Sequence, residues 1–176
     1  NTSDSICAAA LPYVWNGANY TTSGVYTYTT VNAAGCDSVA TLNLTVNTCT
    51  TTLNVTAFLE GFYTGSGTMR ANLYDLGIST DVTETDTVQV NLWSAANLSS
   101  ATPNYSVKAV LHTNGTLTAV FPGATLNNSY YVALKHRNSI ETWSAAPVTI
   151  ASTGSYDFST SLSSAYTDGF NDAMKS

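Results

Sequence analysis

Residues 6–47 read ICAAALPYVWNGANYTTSGVYTYTTVNAAGCDSVATLNLTVN, and this stretch decides the class of fold. Within 38–46, Leu42, Leu44 and Val46 alternate with Thr41, Asn43 and Thr45. That is the period of a strand with one buried face. Residues 24–31 are rich in Val, Thr and Tyr, which suit a pleated, half-buried surface. Residues 13–15 form a shorter strand that runs into the turn pair Asn16-Gly17. The preceding residues, NTSDSI, form either a loose arm or one more strand. A β module this short cannot bury its own core. It must be stapled, lean on the rest of the chain, or borrow structure from another chain.

The staple is sought among Cys7, Cys36 and Cys49, none of which falls in a CxxC pair. Cys7–Cys36 is the expected disulfide. It would close about 30 residues and contribute roughly 3–4 kcal/mol in the chain-entropy account. Cys36–Cys49 is the competing pair. The odd cysteine, Cys49 under the first choice, is buried, free, or bonded to a neighbouring chain. The two histidines lie far apart in sequence and complete no zinc set, so no metal or other cofactor is expected.

Further along, residues 47–52 (NTCTTT) read as a linker between a module at 1–48 and a domain at 49–176. Alternating runs recur at 53–63, 86–93, 105–121, 129–135 and 146–151. The run at 105–121 is the clearest hairpin, with Val107, Ala109 and Leu111 leading into His112-Thr113-Asn114-Gly115 and Leu117, Ala119 and Phe121 leading out. The expected fold is all-β: a small disulfide-stapled, Ig-like module followed by a β-sandwich of the seven-stranded type.

Composition agrees and narrows the function. The chain holds 29 Thr, 20 Ser and 16 Asn, while Asp, Glu, Lys and Arg make up only 9%, against roughly 25% in an average domain. Net charge is −6 with five basic residues, which argues against nucleic-acid backbones and anionic membranes. No run of about 18 apolar residues is present, so no helix inserted in a membrane is expected. No charged-then-apolar leader precedes Asn1, so the chain is read as processed or excised from a longer one. Hydroxyls and amides in place of charge suit an extracellular or cell-surface location.

Motifs for catalysis are missing: there is no GxSxG, HExxH or phosphate-binding glycine loop. Asp168, Asn171 and Asp172 lack calcium-loop spacing. Asp75, Asp81, Glu84 and Asp86 read as solvated loop charges, and His112 as an ordinary polar residue. An enzyme is not expected. Lys135, His136, Arg137 and Glu141 concentrate the charge; the simplest reading pairs Arg137 with Glu141 or has it cap carbonyls at the end of a strand. A ligand-binding reading uses Arg137 with Trp143 and Trp93, Trp93 falling on the outward face of its strand. Trp15, Tyr20, Tyr26, Tyr28 and Tyr131 are further candidates for a sugar platform, although most aromatics in a sandwich pack internally.

The first module resembles short repeats of large secreted Bacteroidota proteins, of the pattern IC…LPY.WNG…Y..SG.YT.T…GCDS.ATLNLTV. The second domain is similar to a β-sandwich module of such proteins, through LEGFY at 59–63, DTVQVNLW at 86–93 and KHRNSIETWSA at 135–145. The resemblance covers most of the chain. It implies an adhesin-like substrate of type IX secretion, at the cell surface or beyond, and no reaction. Bacteria of that group attach O-linked sugars at Asp-Ser/Thr before an apolar residue. Asp4-Ser5-Ile6, Asp37-Ser38-Val39 and Asp86-Thr87-Val88 match, which makes Ser5, Ser38 and Thr87 candidates for covalent glycans. The leading expectation is a fibre or pilus-like protomer that self-associates into a homopolymer, with residues 1–10 donated as a strand to the next copy. The alternative is a carbohydrate- or surface-binding adhesin module of a larger protein.

Overall fold

A computed structural model describes residues 1–167. The carboxylates at Asp168 and Asp172 lie outside the described residues. Two compact units divide the chain: Asn1–Thr50 with Pro122–Ala124, and Thr51–Phe121 with the residues from Thr125 onward.

The first unit contains β1 (Thr2–Cys7), β2 (Tyr13–Trp15), β3 (Ala18–Tyr20), β4 (Gly24–Val31) and β5 (Asp37–Asn47). β5 is the middle of a three-stranded sheet in the order β1-β5-β4. β4 runs antiparallel to it without a register break, from Gly24 opposite Leu44 to Val31 opposite Asp37. β1 runs parallel to it, from Thr2 opposite Leu42 to Cys7 opposite Asn47. The alternation in β5 does what its period implies: Leu42 and Leu44 are buried, while Asn43 and Thr45 are exposed.

Local chemistry sets the turns. Asn16 and Gly17 both have positive φ, 47° and 77°, the type I′ geometry that joins adjacent strands. They close the β2–β3 hairpin. Its Tyr20 lies 4.2 Å from Tyr26 and its Trp15 6.4 Å from Tyr28, centroid to centroid. Tyr26 and Tyr28 share a sheet face with Leu42, because Tyr26 stands opposite Leu42 in the ladder. The hairpin therefore covers the buried face with aromatic rings. Between β4 and β5, the Asn32 side-chain oxygen accepts the N–H groups of Ala34 and Cys36, each at 3.0 Å, an Asx-type turn.

The disulfide joins Cys7 to Cys49 and leaves Cys36 exposed and free. The expected Cys7–Cys36 pair does not form, for a geometric reason. Cys7 stands opposite Asn47, at the far end of β5 from Cys36. At about 3.3 Å per residue, eleven residues of strand separate those levels by roughly 36 Å, whereas bridged Cα atoms lie within about 7 Å. The supposed linker also shrinks: β5 ends at Asn47 and β6 begins at Thr50.

The second unit is a two-sheet arrangement of the β-sandwich kind. β6 (Thr50–Thr56), β11 (Thr116–Pro122) and β15 (Thr153–Asp157) form one sheet, ordered β11-β6-β15. The other is five-stranded: β10 (Tyr105–His112), β9 (Glu84–Trp93), β12 (Ser129–Lys135) and β13 (Thr142–Trp143) in that order, with β14 (Val148–Thr149) also on β12. A small pair, β7 (Tyr63–Gly65) and β8 (Thr68–Met69), and one helical turn, α1 (Asn72–Asp75), complete it. Leu53 and Val55, Val88, Val90 and Leu92, Leu111, Leu117, Phe121, Val132 and Ile150 form one buried cluster. Each such side chain contributes about 1.5–3 kcal/mol by leaving water.

The hairpin expected at 105–121 is corrected here. β10 pairs with β9, and β11 pairs with β6. The chain crosses from one sheet to the other through His112-Thr113-Asn114-Gly115. Only Gly115 of these residues has positive φ, 83°, so the turn is not the type I′ form that keeps two strands side by side. The alternating pattern is satisfied equally well by apolar faces that meet across a core.

Candidate functional site

In the second unit, the segment after β6, the loop between β12 and β13, and residues after β15 enclose a cleft of about 1160 Å3. Phe58, Leu59, Tyr63, Ile140 and Leu162 make its apolar lining, and His136 contributes a polar edge. The first wall is placed by backbone bonds. Ala57 N–H donates to the Gly115 carbonyl at 2.8 Å, and Met69 N–H to that of Thr113 at 2.8 Å. Gly115 is required at this approach: a Cβ there would lie 2.8 Å from the Phe58 ring.

The second wall hangs on a charge cluster that sequence reasoning missed. Asp86 is 2% exposed. Its Oδ2 accepts Arg137 Nη2–H at 2.8 Å and lies 3.2 Å from His136 Nε2, while Oδ1 accepts Thr87 N–H at 2.7 Å. Asn138 N–H donates to His136 Nδ1 at 3.2 Å. With Nδ1 accepting, the ring proton belongs on Nε2, pointing at Asp86. Phe62 meets the imidazole edge-on at 5.7 Å. Both ring nitrogens are thus engaged, and the histidine acts as a staple for the 136–140 turn rather than as a free base. Asp86 is corrected from solvated loop charge to buried carboxylate, and the partner of Arg137 is Asp86, 51 residues away, rather than Glu141. The only signal in the sequence was the adjacency of His136 and Arg137; nothing local pointed to Asp86.

The tryptophan candidates are brought together but not presented. Trp93 and Trp143 stack at 5.3 Å, tilted by 31°. Trp93 does lie opposite to the core-facing Leu92, yet it is only 8% exposed. Its indole N–H is buried and has no hydrogen-bond partner among the described residues. Trp143 is half-buried in β13, and its carbonyl accepts Tyr166 N–H at 2.8 Å. Arg137 donates one hydrogen bond to Asp86 and is otherwise largely exposed. Tyr20 packs at a tilt against both Trp15, at 6.1 Å, and Tyr26, at 4.2 Å. His112 meets Thr83 Oγ1 at 3.1 Å. Nearby Asp81 accepts both the N–H and the hydroxyl of Thr83, which hold its carboxyl below the usual range.

The glycan-acceptor candidates differ in presentation. Thr87 is exposed, but its neighbour Asp86 is buried. Ser5 is exposed and accepts Asn47 Nδ2–H at 2.7 Å, while Asp4 accepts the Tyr13 hydroxyl at 2.8 Å. That bond holds the Tyr13 hydroxyl above its ordinary pKa. Ser38 and Asp37 are both exposed at the start of β5.

No family model, curated protein or solved structure matches this chain. Among the described residues, no group of three or more His, Cys, Asp or Glu side chains is placed to hold a metal ion, and no helix is long and apolar enough to cross a membrane.

Proposed function

We propose that this chain is a non-enzymatic extracellular structural protein, a protomer of a bacterial surface fibre assembled by exchange of residues 1–10. The observation that carries the reading is the place of β1. It flanks β5 as a separate edge strand, parallel to it, and reaches the rest of the module through residues 8–12. Outside the ladder it is held by Cys7–Cys49, the Tyr13–Asp4 bond and amide–hydroxyl contacts such as Asn47 to Ser5. Every one of these can form equally well with β1 of a second copy, which is the condition for exchange at low cost. Read this way, the first unit is an incomplete Ig-like module and the second a sandwich of the seven-stranded type. Exchange would also turn Cys7–Cys49 into a bond between copies, giving a covalent chain. The near absence of charge in residues 1–50, where Asp4 and Asp37 are the charged side chains, removes electrostatic opposition to assembly. Ser38 is the best-presented acceptor if glycans coat the fibre. Electron microscopy of the native material and of a chain lacking residues 1–10 tests the reading: filaments are expected in the first and not in the second. Filaments that persist unchanged without the arm would sink it.

The alternative, an adhesin module that binds a carbohydrate or a surface, is favoured by one observation, the cleft with Phe58 and Tyr63 on its wall. A glycan array would show binding that Tyr63→Ala abolishes and Trp93→Ala leaves intact.

A further inference from the structure

We infer that the free edge of β4 is a self-association edge, on which β4 of a second copy adds antiparallel about a two-fold axis through Tyr28. Two observations meet there.

The first is a contrast among the edges of the molecule. Proteins discourage unwanted strand addition with charged residues, prolines, bulges or very short edge strands. Among the described residues, every other free edge carries such a device. β10 holds Lys108 and a register break at Leu111/His112. β13 and β14 are two residues each. β11 ends on Pro122, and β15 is five residues long and ends on Asp157. β1 carries Asp4. β4 has none: eight residues, GVYTYTTV, uncharged, without proline, and in unbroken register with β5.

The second is the order of residues in β4. Around Tyr28 the strand reads Val25, Tyr26, Thr27, Tyr28, Thr29, Thr30, Val31, nearly a palindrome. In an antiparallel pair opposite residues share a face. A two-fold axis at Tyr28 therefore sets Val25 against the partner's Val31 and Thr27 against the partner's Thr29 on the outer face. On the other face Tyr28 meets its own copy. Val25 and Val31 are 69% and 62% exposed, so the pairing covers apolar surface that the single chain leaves in water. Aromatic, β-branched and Thr–Thr cross-strand pairs are the favourable ones. The inference does not depend on exchange of β1, since β4 stays at the edge of the sheet whichever copy supplies β1.

Sedimentation of the full chain tests it. The fraction of native protein not assembled into filaments is expected to show a concentration-dependent dimer. Thr27→Lys with Thr29→Lys sets like charges opposite each other in both symmetric pairs and should weaken the dimer by about tenfold or more. Thr27→Lys with Thr29→Glu sets opposite charges together in the proposed register and should restore it. Both positions are exposed, so the fold should survive, as near-UV circular dichroism can verify. In a Cys36→Ser background, Tyr28→Cys should give a disulfide-linked dimer on air oxidation, and Thr30→Cys should not. A native chain that sediments only as a monomer overturns the inference. So does a folded Thr27→Lys, Thr29→Lys variant that associates as the native chain does.

Discussion

The two units solve the same problem by opposite means. The second buries a cluster of aliphatic and aromatic side chains between two sheets and uses no disulfide. The first has one three-stranded sheet, a hairpin of aromatic rings over one face, and a covalent link between β1 and Cys49, just after β5. A core of that size is marginal alone, so the staple carries a share of stability that packing carries in the second unit. The lesson extends to function. A unit held by replaceable edge contacts and one bond can exchange those contacts with a neighbour; a unit held by an enclosed core cannot.

The largest expected effect breaks this contrast from the side of the first unit. Cys49→Ser should cost about 4 kcal/mol for a closed loop of this length. Hydrogen exchange followed by mass spectrometry should show protection lost in residues 1–47 and kept in β9 and β12. Cys36→Ser should change neither. Leu92→Ala attacks the other side. It should cost about 3 kcal/mol and accelerate exchange across the second unit, read by the same measurement. If each substitution loosened both units alike, the contrast would fail.

A smaller effect separates the cleft from the core beneath it. His136→Ala removes a hydrogen bond to the buried Asp86 carboxylate and should cost about 2 kcal/mol, with faster exchange confined to residues 136–142. Arg137→Ala should cost less than about 1 kcal/mol, because the guanidinium is largely in water. Urea unfolding measures both.

The smallest effect sharpens the account of β1. The hydrogen bond to Asp4 raises the folded-state pKa of the Tyr13 hydroxyl. A raised folded pKa means the folded state keeps its proton longer, so this contribution is fully present below about pH 10 and is lost as pH rises through the folded value. The melting temperature of the first unit should fall more steeply with alkaline pH in the native chain than in Tyr13→Phe.

Features carried by local patterns were legible in the sequence. The alternation of β5, the Asn16-Gly17 turn and the all-β composition each follow from neighbouring residues. The disulfide was misread because Cys36 is nearer to Cys7 in sequence, while the length of β5 carries it to the opposite end of the sheet. The crossing at 112–115 was misread because alternation states which face is apolar and not which strand lies alongside. The Asp86 cluster was invisible for a similar reason: a buried carboxylate and a solvated one look alike until strand pairing brings His136 and Arg137 to it. Trp93 was placed on the correct face, but its burial depended on Trp143, which joins it only through β12–β13 pairing.

The central claim, that β1 is exchanged between copies, can be read directly from isotopes. Equal amounts of unlabelled and 15N-labelled chain would be mixed under reducing, unfolding conditions, refolded, oxidised and assembled. Cleavage after aromatic residues then separates the Cys7 and Cys49 peptides, still joined by their disulfide. Exchange predicts joined peptides with one light and one heavy half in the assembled fraction. If every joined pair were wholly light or wholly heavy, each β1 would belong to its own chain and the account would be contradicted.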